Sequence, residues 1–263
     1  MRVIIKKDYE EVTDWVATYI AYKISRARPT EDKPFVLGLP MGDTPKGVYR
    51  KLVELNHKGK LSFANVVIFC MNEFIGLDKK APQSCHSYMN EFLLKHVDSK
   101  AKNVYILDGK TKNYEKECAN FELAIRQKGG VDLFVGGVGS DGHIAFNEPF
   151  SSLNSQTRVK TLTTETVKNK AKLFDNDISK VPNTVLTVGI GTIMSAKEVL
   201  LLATGNTKAE ATKAAIEGSV NHRWAVSALQ MHRHGIYVCD EDASSKLEQE
   251  TVSYLKDIER NAY

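Results

Sequence analysis

The run Val135-Gly-Gly-Val-Gly-Ser-Asp-Gly-His-Ile-Ala-Phe-Asn-Glu-Pro149 places one imidazole, two carboxylates and four glycines directly after an apolar, strand-like segment. A histidine flanked by Asp141 and Glu148 can be oriented by one carboxylate and can exchange protons near neutral pH. Glycines at 136, 137, 139 and 142 let backbone groups approach a substrate closely. Their register is not G-x-G-x-x-G and no helical pattern follows at once, so this is not a dinucleotide fingerprint.

Two other strand exits carry polar chemistry. In Leu37-Gly-Leu-Pro-Met-Gly-Asp-Thr-Pro-Lys46 a strand gives way to a helix, with Thr44 expected as N-cap and Pro45 at the first helical position. The free N–H groups of such a first turn suit a phosphate, whereas the carboxylate of Asp43 would repel one. In Phe69-Cys-Met-Asn-Glu-Phe-Ile-Gly76, Asn72 and Glu73 follow a buried strand. If strand geometry continues, the two side chains point to opposite faces. Arg158, Lys160, Lys172 and Lys208 are candidate anion contacts. The remaining histidines show no metal-ligand spacing, and His232-Arg-His234 reads as surface.

These segments need a scaffold. Strands are expected at residues 3–5, 35–39, 66–71, 104–107, 132–136, 185–188, 199–203 and 236–239. Several are continuous apolar runs rather than alternating ones, as strands covered on both faces are. Helical periodicity covers residues 9–26, 45–58, 208–217 and 245–258. The third of these opens with Thr207 and Glu210 in capping-box spacing. The alternation predicts an α/β doubly wound, mostly parallel sheet with helices on both faces. Ligands in such sheets gather at the carboxyl ends of the strands, where all three segments lie. No repeat or Gly/Ser linker interrupts the chain, so a single domain over 1–263 is expected, with a long unpatterned loop from Gly136 to Arg158.

With 263 residues, 42% hydrophobic and 26% charged, the chain can bury a core without disulfide staples and is not a disordered or fibrous sequence. No apolar run approaches a membrane span, and the N-terminal apolar stretch is too short for a signal-peptide core. Cysteines 70, 85, 118 and 239 lack C-x-x-C spacing, which suits reduced thiols in a cytoplasmic protein and offers no metal site. A net charge of +4 without an Arg-rich arm fits an anionic small molecule better than nucleic acid or a membrane surface.

The run from Gly137 to Pro149 resembles the signature of the glucosamine-6-phosphate deaminase (isomerase) family. So do Phe35-Val-Leu-Gly-Leu-Pro40, Phe174-Asp-Asn-Asp177, Val181-Pro182, Leu186-Thr-Val-Gly-Ile-Gly-Thr192, Asn221-His222 and Val238-Cys-Asp-Glu241, so that the likeness runs along nearly the whole chain. The resemblance implies a Rossmann-like fold, a homo-oligomer that is commonly a hexamer, and no metal or organic cofactor. It also implies the reversible conversion of glucosamine 6-phosphate and water to fructose 6-phosphate and ammonia in amino-sugar metabolism. His143 would assist ring opening, with Asp141 and Glu148 orienting it, and position 72 would move a proton between C2 and C1. Gly42, Thr44, Gly137, Lys172 and Lys208 would bind the sugar phosphate. Ser151, Ser152, Arg158, Lys160, Thr161 and Tyr254 would form a second, inter-subunit site for the effector N-acetylglucosamine 6-phosphate.

The chain departs from the family pattern at several of these places. Met71-Asn-Glu-Phe74 stands where Met-Asp-Glu-Tyr is usual, and the amide of Asn72 cannot act as a carboxylate base. Met41 replaces a hydroxyl residue, Asp43 a small neutral one, Cys85 a tyrosine, and Lys172 an arginine, keeping the charge but losing the bidentate fork. A deaminase with an altered active site is therefore one reading. A catalytically impaired paralogue that binds amino-sugar phosphates or regulates a partner subunit is the second, and a lactonase of the same fold a third.

Overall fold

Each continuous apolar run becomes a strand whose successive side chains feed two different cores. In the computed structural model, which describes residues 1–261, the elements in the first half are β1 (Arg2–Lys6), α1 (Tyr9–Ala27), β2 (Phe35–Leu39), α2 (Pro45–His57), β3 (Val66–Cys70), β4 (Asn72–Phe74), α3 (Cys85–Phe92), β5 (Val104–Tyr105) and α4 (Tyr114–Gln127). There follow β6 (Leu133–Gly137), β7 (Arg158–Thr161), α5 (Thr164–Lys170), β8 (Thr184–Thr187), α6 (Ile190–Met194), β9 (Val199–Ala203), α7 (Ala209–Ile216), β10 (Gly235–Asp240) and α8 (Gln249–Asn261).

Seven strands form one sheet in the order β1-β10-β9-β6-β2-β3-β5, with every pairing parallel. Val36, Val67, Phe134 and Leu201 point to one face, where they meet Phe121 of α4, Ile193 of α6 and Ala211 of α7. Their neighbours Leu37, Ile68, Leu133 and Leu200 point to the other, against Val16 of α1, Leu52 of α2 and Met89 of α3. This two-residue alternation between two dry faces is why the runs are apolar throughout. The doubly wound α/β architecture is as expected from the sequence.

A second, antiparallel sheet in the order β4-β8-β7 stands apart and encloses a smaller core around Phe74, Phe146, Phe174 and Val185. Residues 185–188, expected among the parallel strands, belong here instead. Buried Glu122 of α4 ties this sheet down, accepting from Thr157 N–H at 2.9 Å, Thr157 Oγ1 at 2.6 Å and Thr192 Oγ1 at 2.6 Å.

Helix ends follow local hydrogen-bond supply. Asp8 caps α1, accepting from Glu11 N–H at 3.0 Å. Thr44, expected to cap α2, is itself helical (φ −57°, ψ −44°) and its side chain caps nothing. The Tyr9 hydroxyl takes that role, accepting from Gly47 N–H at 2.9 Å and donating to the Thr44 carbonyl at 3.2 Å. The capping box at Thr207 and Glu210 does not form either. Residues Asn206–Lys208 make a 3₁₀ turn into α7, without a side-chain cap, and Glu210 pairs with Lys246. The last helix starts at Gln249 rather than 245, because the Asp240 carboxylate accepts Ala243 N–H at 2.8 Å and holds the preceding residues in turns. β5 is two residues long, shorter than the expected 104–107. His232 is half-buried rather than on the surface, its Nε2 2.9 Å from the Ala196 carbonyl oxygen. The four cysteines are all buried and unpaired. Among the described residues no helix is long and apolar enough to cross a membrane.

Candidate functional site

The loop that leaves β6 closes on itself before it can wander. Gly139 N–H donates to the His143 carbonyl at 2.8 Å, and Gly142 N–H to the Gly139 carbonyl at 3.0 Å. A Cβ at Gly139 would strike the His143 ring and lie 2.7 Å from Asp141 Oδ1. Gly142 has φ +80°, and a Cβ there would lie 3.3 Å from Val226 Cγ1 and press on the Trp224 ring. Glycine is thus required at both positions for the loop to fold over its own histidine.

The result places His143 Nδ1 2.6 Å from Asp141 Oδ1. Nδ1 makes no well-aligned hydrogen bond, so the pair is a close contact rather than a linear hydrogen bond. Burial works to raise the Asp141 carboxyl, but the contact and charge of His143, with backbone N–H groups, outweigh it and hold Asp141 below the ordinary carboxylate range. Glu148 is buried. Its Oε1 accepts from Thr163 N–H at 3.1 Å. One donor atom from each of Asp141, His143 and Glu148 lies within 4.8 Å of the others. Such a set can relay a proton, and its two oxygens and one nitrogen could also hold a divalent cation.

In front of His143 opens a cavity of about 450 Å³. The structure brings Gly42, Thr44, Asn72, Gly137, His143, Lys172 and Lys208 to its wall, from the ends of β2, β3, β6 and β9 and from the 3₁₀ turn that follows α5. Asp141 and Glu148 stand behind the wall and reach the cavity through His143. A larger groove of about 670 Å³ over α1, around Trp15 and Tyr19, brings none of these groups together.

Asn72 is 3% exposed and projects into the cavity. Glu73, one residue on, turns the other way, as strand alternation requires. Its carboxylate accepts from Cys85 N–H at 3.0 Å and His86 N–H at 3.3 Å and so caps α3. Burial raises the Glu73 carboxyl against these bonds. Among the described residues, buried side-chain polar atoms without a hydrogen bond concentrate here: Asn72 Nδ2, His143 Nδ1 and Glu148 Oε2. A ligand that satisfied them would recover the cost of their desolvation.

The opposite wall is cationic. Gly42, at φ +143°, is held by the Tyr88 hydroxyl, which donates to its carbonyl at 2.6 Å. Asp43 is less hostile to an anion than its type suggests. Its bond to Lys46 Nζ at 2.8 Å lowers its pKa, burial opposes, and the charges of Lys170 and Lys172 lower it further. Burial lowers the Lys208 ammonium, and the charge of Lys170 adds to that while Asp141 opposes it. Sequence reasoning missed Lys170. It ends a helix of seven residues that carries too few apolar positions to show a period.

The residues matched to an effector site fall in a loop and on two elements. Arg158 and Lys160 share one face of β7, and Ser151, Ser152 and Thr161 lie close to them in the chain. Arg158 Nη1 donates to Asn147 Oδ1 at 2.9 Å, and Ser151 Oγ to the Glu148 carbonyl at 2.7 Å. Both therefore grip the loop that carries His143. Burial lowers the Arg158 guanidinium. Tyr254, 66% exposed, sits on α8, which packs against β1 at the edge of the main sheet.

Residues 7–238 match the family model described as glucosamine-6-phosphate isomerases/6-phosphogluconolactonase. The chain is 54% identical over 260 residues to a glucosamine-6-phosphate deaminase of Phocaeicola vulgatus, covering 99% of each chain. It is 52% identical over 261 residues to that of Parabacteroides distasonis, covering 99% of this chain and 97% of the other. Among solved structures, a monomeric glucosamine-6-phosphate deaminase superposes with a TM-score of 0.89 at 37% identity, over 93% of this chain and 99% of that one. A 6-phosphogluconolactonase from Thermotoga maritima shares the fold, with a TM-score of 0.70 at 20% identity, over 91% of this chain and 99% of that one. The chain belongs to the glucosamine-6-phosphate isomerase/6-phosphogluconolactonase family.

Proposed function

We propose that this chain, as a single domain, converts glucosamine 6-phosphate and water reversibly to fructose 6-phosphate and ammonia. The observation that carries this reading is the meeting, in one cavity, of a carboxylate-braced histidine with a lysine-lined wall. The sugar's phosphate would lie on the turn at Gly42 and Thr44, with Lys172 and Lys208 supplying charge, and Gly137 would let the sugar approach the end of β6. His143 would carry the proton between the anomeric hydroxyl and the ring oxygen, opening the ring. Asp141 and Glu148 would hold the imidazole and offset its charge. Moving the C2 proton to C1, with a proton passing from the amine to O1, turns the open-chain aldose amine into a ketose imine, which water splits to ketone and ammonia. Each step is acid–base chemistry and calls on no cofactor.

Asn72 stands where the C2 proton must be taken, and a neutral amide is a very poor base. Glu73 faces away, and Asp141 and Glu148 do not reach the cavity wall. The expected enzyme is accordingly a slow deaminase. Effector control by N-acetylglucosamine 6-phosphate fits the grip of Ser151 and Arg158 on the His143 loop, with Ser152, Lys160 and Thr161 beside them. Tyr254, on a distant element, would have to come from a second subunit of a homo-oligomer such as a hexamer. The buried unpaired cysteines suit a cytoplasmic protein. The test is ammonia release from glucosamine 6-phosphate, measured with and without N-acetylglucosamine 6-phosphate. Release that rises with effector supports the whole reading, and no release by either mixture overturns it.

A further inference from the structure

Lys170 has no role in the account above, yet it lies, half-buried, in the wall of the same cavity. Its Nζ lies 5.3 Å from the centre of the Phe146 ring. Phe146 is buried against Phe74, so the ring is a fixed platform in the loop that carries His143. Among the described residues no hydrogen bond or ion pair reaches the Lys170 ammonium. Burial depresses its ammonium, and the charges that oppose this are Asp43 on the α2 side and Glu148 on the loop side. An ammonium held on an aromatic face beside a second depressed lysine, with no hydrogen bond to a protein group, is free to meet a dianion.

We propose that Lys170 is a substrate-binding residue whose ammonium, together with Lys208, takes the phosphate of the sugar, while Asp43 offsets its charge when the cavity is empty. The inference rests on the sugar-phosphate reading above. It explains why an aspartate is tolerated in a turn that would otherwise repel phosphate: the carboxylate is already engaged by Lys46 at 2.8 Å and stands opposite surplus lysines. It also gives the single-point charge of Lys172 a companion, since two ammonium groups can span the phosphate oxygens that one fork would grip.

The test is calorimetric titration of the full chain with inorganic phosphate and with fructose 6-phosphate, on the natural protein and on Lys170→Met and Asp43→Asn. Loss of one charge-assisted contact should weaken both ligands about tenfold or more in Lys170→Met. Asp43→Asn should tighten both about two- to threefold, the scale of an exposed ion pair. Unchanged affinity in Lys170→Met, with a melting curve like that of the natural chain, overturns the proposal; Lys170→Arg, which keeps the charge, should hold most of the affinity. Tighter binding by Lys170→Met would likewise refute it. The readout does not involve turnover. Loss of phosphate affinity in a protein that releases no ammonia would uphold this inference while removing the deaminase reading.

Discussion

At one end of the cavity His143 is braced from behind, with Asp141 2.6 Å away and Glu148 anchored in turn by Thr163 N–H. At the other end Lys170, Lys172 and Lys208 are not ion-paired to any described residue, and the nearby acid, Asp43, is engaged by Lys46. On the proposed reading, the difference follows from what each end would do. Proton transfer needs a ring held in one orientation, so its supports are fixed by a closed loop and by buried contacts. Charge recognition falls off slowly with distance and tolerates a choice of lysines, so residues can be exchanged there without losing the field. The departures from the family pattern at positions 41, 43 and 172 lie at the tolerant end. Asn72 is the exception, because on that reading it would sit where orientation and residue type both matter.

The comparison breaks most visibly at His143. His143→Gln should lower ammonia release about 10²–10⁴-fold, the usual scale for a general acid–base group, with little change in fructose 6-phosphate affinity by calorimetry. Near-natural turnover in this variant would take the imidazole out of the mechanism. Asn72→Asp should act in the other direction, raising ammonia release and exchange of the C2 proton with solvent about 10- to 100-fold. Efficient exchange by the natural chain, with no gain in the variant, would mean another base serves.

The next effect is on stability alone. Glu73→Ala strands the N–H groups of Cys85 and His86 at the start of α3, at about 1–3 kcal/mol by urea unfolding, while phosphate affinity stays. A large loss of affinity instead would place Glu73 in the site. The smallest effect concerns pH. Asp141 is held below its ordinary value of about 3.9, so its contribution is present above that value and is lost as pH falls through the native one. Asp141→Asn should therefore flatten the acid limb of stability by no more than about 1 kcal/mol, the pair being partly exposed. An acid limb identical in both proteins would mean that His143 gives Asp141 no such hold.

The main sheet was legible because its strands are buried on both faces and announce themselves as apolar runs. The small sheet was not. β4 is three residues long and β7 reads Arg-Val-Lys-Thr, too short and too polar to show a period. The caps failed for a related reason. Thr44 and Thr207 have the right spacing, but Tyr9, 35 residues before Thr44, and a 3₁₀ turn meet those helix starts first. In the site, His143 and its carboxylates could be read because they crowd into one segment with their glycines. Lys170 could not, since a lone lysine looks like a solvated charge until Phe146 is brought beneath it.

Thr187 occupies the middle strand of the small sheet, opposite Asn72 on one side and Arg158 on the other, and its hydroxyl accepts Phe146 N–H at 3.1 Å. The three positions are therefore fixed by counting rather than by loop shape. Loss or gain of a single residue inside β8 would rotate every side chain beyond it to the opposite face. Insertions and deletions should consequently be borne at the ends of β4, β7 and β8 and be ruinous within them, even where each individual side chain there can be exchanged.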